Sequence, residues 1–342
     1  MKGTRSVLVV LMLGALLAEA SGYARYQVPV GVASELKASI REWDVPTKGA
    51  HPHDAAVGPD GALWFAEQAT NKMGRLNPNT GEFKEFPLTD DKNPGPRGLT
   101  FDHDGNIWYA ANSGGFIGKF NAKSGKVTVF KMPDPKAEDP LSLVFDAKGI
   151  LWFTVPRANM VGRLDPATGE IILKKVPTEN SMPYGIVVLK RGVPIFSELR
   201  SNKVGVINPG MSIQEFILPP SVRPRRIAIT KDDNTVYFAD YRDGNLGKLD
   251  LSIGAVVMFA TPGGPDASPR GLAITADGMV WYSESGENPN KIIRFDPRTY
   301  TFARVSIPSG GGGVDNIATT PEGKLYVACP EVDKVALVDP SK

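Results

Sequence analysis

Cysteine is almost missing from this 342-residue chain, where Cys329 stands alone. An intrachain disulfide and a cysteine-clustered metal site are therefore excluded, and stability has to come from core burial. Histidine is nearly as scarce: His51, His53 and His103 are the only three. Neither sign of charge is in excess, with 39 Lys and Arg against 37 Asp and Glu. No block of like charge occurs, so the expected partners include neither nucleic acid nor an anionic membrane surface. Long apolar runs are lacking as well. Ser6 to Leu17 is apolar for about a dozen residues, too short for a comfortable membrane span.

That run follows Lys2 and Arg5 and precedes Ala18-Glu19-Ala20. A basic start, an apolar core and small residues at the end read as a secretory signal over residues 1–20. The expectation is a secreted or periplasmic bacterial protein with no membrane span after cleavage. Residues 21–35 read as an N-terminal extension and 36–342 as one domain.

What the chain has in abundance is turns and repeats. It holds 36 Gly and 29 Pro, and aromatic strands recur: "GALWFAEQ", "GNIWYAAN", "GILWFTVP", "GMVWYSES". Before each comes a short apolar strand, such as "RGLTFDHD" or "RGLAITAD". After each comes another, such as "NKMGRLNP" or "NMVGRLDP". The residues that open the first strand of each unit are His53, Arg97, Leu141, Tyr184, Arg225, Arg270 and Asp315, 41 to 45 residues apart. Seven such units of four strands predict an all-β, seven-bladed β-propeller. The last unit stops after its third strand, "KVALVDP", and "SIREWDVP" near the front resembles the missing fourth. The ring is expected to close by pairing these two segments, which removes the exposed sheet edges.

In a propeller the innermost strand lines the central channel, so the seven opening residues should share one rim. A second ring follows fourteen or fifteen residues on: Glu67, Ala111, Val155, Glu198, Asp240, Glu284 and Cys329. His53 and Glu67 are then expected as neighbours on one hairpin. Arg97, Arg225 and Arg270 would give the funnel an anion preference, unless Arg225–Asp240 and Arg270–Glu284 merely neutralise each other. Tyr184, Glu284 and Asp315 complete the candidate substrate-binding set. His103, in "FDHDGN", reads as a solvated turn, and Cys329 as a small buried filler. The run Gly310 to Gly313 fits either a mouth loop or a tight connection.

The grammar "PRGLTF…GNIWYAA" and "HPHDAAV…GALWFAEQATNKMGRL", repeated over the mature chain, resembles the virginiamycin B lyase (streptogramin lyase) family. That resemblance implies a lyase that opens the ester of a cyclic depsipeptide antibiotic by elimination. In it a His removes an α-proton and Mg²⁺ held by two Glu bears the developing charge. Pro52-His53 matches the base and Glu67 one metal carboxylate. The second carboxylate position carries His51, and the position of a substrate-contacting His carries Asp315 in "GGVDNI". The matching pair also sits in the first repeat here, not the last. Imidazole suits Zn²⁺ or another late transition metal, so His51, His53 and Glu67 could instead form a His₂–carboxylate site. Three functions stay open: a metal-dependent carbon–oxygen lyase, a lactonase-like hydrolase, and a non-catalytic propeller binding a small molecule or peptide in its funnel. A monomer is expected.

Overall fold

The computed structural model describes residues 25–28, 33–88 and 94–341. The signal read at residues 1–20 lies outside the described residues, as does most of the extension. Seven antiparallel sheets surround a central channel. Blade one comprises Pro52–Val57, Leu63–Glu67, Lys72–Leu76 and Phe83–Pro87, in that order from the channel outward. The seventh blade is completed from the front of the chain. Ser39–Asp44 pairs antiparallel with Lys334–Asp339, running from Ser39 opposite Asp339 to Asp44 opposite Lys334. Two further segments lengthen other blades: Arg25–Val28 lies parallel to Val256–Ala260, and Ser34–Glu35 pairs with Thr301–Ser306.

The second strand of every blade is buried throughout, because both of its faces meet neighbouring blades. This explains the glycine in the third strand. Gly74 lies opposite Phe65, and Gly118, Gly162, Gly205 and Gly247 lie opposite Tyr109, Phe153, Phe196 and Phe238. A Cβ at any of these would overlap the ring, so only glycine admits it. Fourth strands such as Phe83–Pro87, Lys126–Lys131 and Ile213–Ile217 instead alternate between half-buried and exposed positions, as half-covered strands should.

His103 is exposed in its turn, and Cys329 is fully buried, its thiol pushed up by burial to about 12. No helix of the described residues is long and apolar enough to cross a membrane.

Candidate functional site

The site originates in a backbone irregularity that recurs. In blades one, two, four, five and six the pairing between first and second strands shifts register, between Pro52 and Ala55 in blade one and at the equivalent places in the others. The residues inside these bulges are His53-Asp54, Arg97-Gly98, Tyr184-Gly185, Arg225-Arg226 and Arg270-Gly271. A bulge re-aims side chains, and here it brings two consecutive residues of a strand to one network. In blades three and seven the first strand is short, beginning at Leu143 and Ile317, so Ser142 and Asp315 sit just ahead of it.

At the centre is His53, 4% exposed. Its Nδ1 lies 2.8 Å from Asp54 Oδ1. An ionised carboxylate only accepts, so in the neutral ring Nδ1 carries the hydrogen and Nε2 the lone pair. Arg97 Nε donates to Nε2 at 3.0 Å, and Asp315 Oδ2 lies 3.3 Å from the same nitrogen. Asp54 is gripped in turn by Arg226, whose Nη2 donates to both carboxylate oxygens at 2.6 and 2.7 Å. Arg226 crosses the channel from blade five. It also donates from Nη1 to Ser142 Oγ and from Nε to the Asp315 carbonyl.

Asp315 gathers the remaining arginines. Its Oδ2 accepts from Arg225 Nη2 at 2.8 Å and Arg97 Nη2 at 3.5 Å, and its Oδ1 from Arg270 Nη1 at 3.4 Å. Burial would raise this carboxyl, but Arg225, then His53 and Arg270, hold it well below the usual range. Burial opposes Asp54 likewise, and Arg226 followed by the His53 hydrogen bond keeps it lowered. Tyr184 and Tyr241 floor the cluster: the Arg225 guanidinium lies 4.8 and 5.0 Å from their ring centres, and that of Arg270 lies 5.6 Å from Tyr241.

The structure thus brings His53, Arg97, Tyr184, Arg225, Arg270 and Asp315 together. It does not bring the second ring to them. Glu67 is fully buried and accepts from Thr70 Oγ1, beside Lys72 and Glu85. Burial pushes its carboxyl up to about 7, against the Thr70 hydrogen bond and with the help of Glu85. Glu284 accepts from the Gly263 amide, and Asp240 from the Arg223 amide. The alternative of local Arg225–Asp240 and Arg270–Glu284 neutralisation is therefore corrected, since both arginines turn to Asp315. Second-strand ends spend their carboxylates on nearby loops instead, Glu67 and Glu198 on the Thr70 and Ser201 hydroxyls and Asp240 and Glu284 on backbone amides.

The expected His51–His53–Glu67 metal site is not assembled. His51 has a positive φ of 50°, its amide donates to Asp333 Oδ1, and its ring is 6.5 Å from that of His53. Among the described residues no group of three or more His, Cys, Asp or Glu could hold a metal ion. The residues at the Mg²⁺ positions implied by the resemblance thus do not fit the ion. Gly310 to Gly313 all have positive φ, and Gly313 packs beside the Arg270 guanidinium. The run therefore combines both readings: a tight connection, made at the mouth.

Sequence reasoning passed over Asp54, Ser142, Arg226 and Tyr241. A signal was present. The residue after each rim position is Gly98, Gly185 or Gly271 in three repeats, and a Cβ there would crowd the next blade, colliding with the Leu141 carbonyl at Gly98. Of the four repeats that depart from glycine, three supply the channel network, at Asp54, Ser142 and Arg226, and the fourth, Asn316, accepts from the Ala55 amide.

Comparison with known proteins gives a consistent frame. The model of the virginiamycin B lyase family matches residues 30–252 and 174–341. A selenomethionine-substituted virginiamycin B lyase from Staphylococcus aureus is similar in structure, with a TM-score of 0.80, 24% identity, and coverage of 89% of this chain and 99% of that one. A catalytically inactive variant of the Staphylococcus aureus enzyme with quinupristin is similar at a TM-score of 0.81 and 24% identity, covering 89% of this chain and 99% of that one. At such identity these likenesses concern the fold. L-arabinolactonase from Azospirillum brasilense is 26% identical over 130 residues, 37% of this chain; the match spans 42% of that relative.

Proposed function

Because the chain belongs to the virginiamycin B lyase family, we propose that it is an exported enzyme that opens a cyclic ester at its channel mouth, with His53 as base. The observation that carries this reading is the placement of the His53 ring. Asp54 orients Nδ1, while Nε2 faces the mouth cluster, 3.3 Å from Asp315. A proton taken up on Nε2 gives an imidazolium flanked by two carboxylates, which stabilises the charged ring.

In the elimination, Nε2 takes a proton α to a carbonyl. The C–H electron pair becomes the new carbon–carbon double bond, and the β carbon–oxygen bond breaks with its pair leaving on a carboxylate. An α-proton of this kind is too weak an acid for imidazole alone, so the developing negative charge needs a partner. Arg97, Arg225 and Arg270 are the cations beside the base, and no step here runs through a metal. A second reading, lactone hydrolysis with His53 activating water, is favoured by the likeness to L-arabinolactonase.

The test is incubation of the purified mature protein with a streptogramin B ester and with a simple lactone, read by mass. Elimination leaves the mass unchanged and hydrolysis adds one water. His53→Ala should lower turnover by about 10²–10⁴-fold. A protein that leaves both compounds intact would be a binding propeller. Cell fractionation tests the proposed export.

A further inference from the structure

The channel mouth is unbalanced. Four guanidiniums, those of Arg97, Arg225, Arg226 and Arg270, face two carboxylates, Asp54 and Asp315. Arg226 is saturated by Asp54, Ser142 and the Asp315 carbonyl. The other three share Asp315, and two of those contacts are long, at 3.4 and 3.5 Å. Donors outnumber the acceptors: the Nε atoms of Arg225 and Arg270 and the hydroxyl of Tyr184 are buried without a partner among the described residues. Tyr184 is itself 3% exposed and lies beneath the Arg225 guanidinium. Buried donors left unsatisfied are costly, and buried like charges repel, so the arrangement is stabilised when another acceptor of negative charge arrives. Arg97 and Arg270 keep 22% and 25% of their side chains open to solvent, which leaves them as the reachable pair.

We propose that the mouth anchors a ligand through a free carboxylate, bridged by Arg97 and Arg270 beside Arg225, and that this docking draws Arg97 away from His53. The guanidinium fork matches a planar carboxylate in two hydrogen bonds. Asp315 holds the three forks in the absence of ligand, in the same chemical form as the group that binds. The latch follows from one contact. Arg97 Nε occupies the lone pair of His53 Nε2 at 3.0 Å, so a carboxylate that recruits Arg97 uncovers the base when the substrate is present. The substrate class is then a cyclic ester that also bears a carboxylate. This rests on the mouth being the ligand site proposed above, but binding tests it without turnover.

The experiment uses two probes of the same ring, 5-oxotetrahydrofuran-3-carboxylate and its methyl ester, in which the C3 proton is α to the carboxyl group and the ring C2–O bond is β to it, titrated into the whole mature protein by calorimetry. The acid should bind about tenfold or more tighter than the ester, and more weakly as salt rises. Arg97→Gln and Arg270→Gln should each remove most of that preference while the unfolding midpoint stays near wild type. The imidazole NMR signals of His53 should shift with the acid in wild type and not in Arg270→Gln. Equal affinity for acid and ester, or no binding of the acid at millimolar concentration, overturns the proposal. Acid-selective binding without ring opening refutes only the catalytic reading, and turnover of neutral esters without acid preference refutes only this one.

Discussion

Glu67 and Glu198 in the blades, and Asp54 and Asp315 at the channel, are all buried carboxylates held in opposite ways. Glu67 accepts from Thr70, and its neighbour Lys72 is committed to Glu85 and Thr47. Three blades on, Glu198 accepts from Ser201, while Lys203 is committed to Glu215 and Thr178. Both carboxyls are pushed up to about 7, burial being the main cause. Asp54 and Asp315 are also buried, at 4% and 7% exposed, yet lowered, because guanidiniums from other blades face them. The set that repeats is local to a blade and serves its architecture. The set at the channel combines His53 and Asp54 of blade one with arginines of blades two, five and six and Asp315 of blade seven, an uneven ring that can recognise an asymmetric ligand.

The sharpest break of this contrast is Arg226→Met. It leaves Asp54 buried without its counter-charge and should cost about 3–5 kcal/mol in urea unfolding. Adding Asp54→Leu should recover most of it, because the carboxylate left without its counter-charge is then removed. A single-variant cost below about 1 kcal/mol would show that the channel network does not hold the blades together.

Asp315 separates the sets by pH. Its folded value lies well below the ordinary 3.8, so its stabilisation is present above that pH and lost as pH falls toward the lower folded value. Asp315→Asn should therefore flatten the acid limb of stability, by about 1–3 kcal/mol.

The blade carboxylates should behave in reverse. With an ordinary value of 4.5 and a folded value of about 7, the folded state binds the extra proton between these limits. Stability then falls as pH rises through that window. Glu67→Gln and Glu198→Gln should gain about 1–3 kcal/mol each at pH 8 and little at pH 5, measured by unfolding at both.

The smallest effect belongs to Cys329, which faces neither set. Its buried thiol, held near 12, should resist alkylation in the native protein and react only on unfolding. Cys329→Ala should cost roughly 1 kcal/mol or less in unfolding free energy.

The repeat grammar was legible because each letter has a steric cause that acts locally. The third-strand glycine admits an aromatic ring from the second strand, and the missing last strand reappears as "SIREWDVP", found at Ser39–Asp44 beside Lys334–Asp339. The rim was legible for the same reason, since one position per repeat must open the inner strand. Glu67 was placed at the mouth by spacing alone, and spacing along a hairpin does not say which way a carboxyl turns.

By itself, then, the sequence determined the number of blades, their closure and six of the residues that meet at the channel mouth, His53, Arg97, Tyr184, Arg225, Arg270 and Asp315. These follow from periodicity and turn chemistry, which operate within about 45 residues. Only the tertiary structure decided which charges meet. Arg226 reaches Asp54 across 172 positions of chain, and a register shift in the first strand lets Asp54 and Arg226 enter a network beside His53 and Arg225. A one-residue irregularity changes the aim of a side chain without altering the hydrophobic pattern around it. That is why the fold could be read from the repeats while the partners of His53 had to be seen.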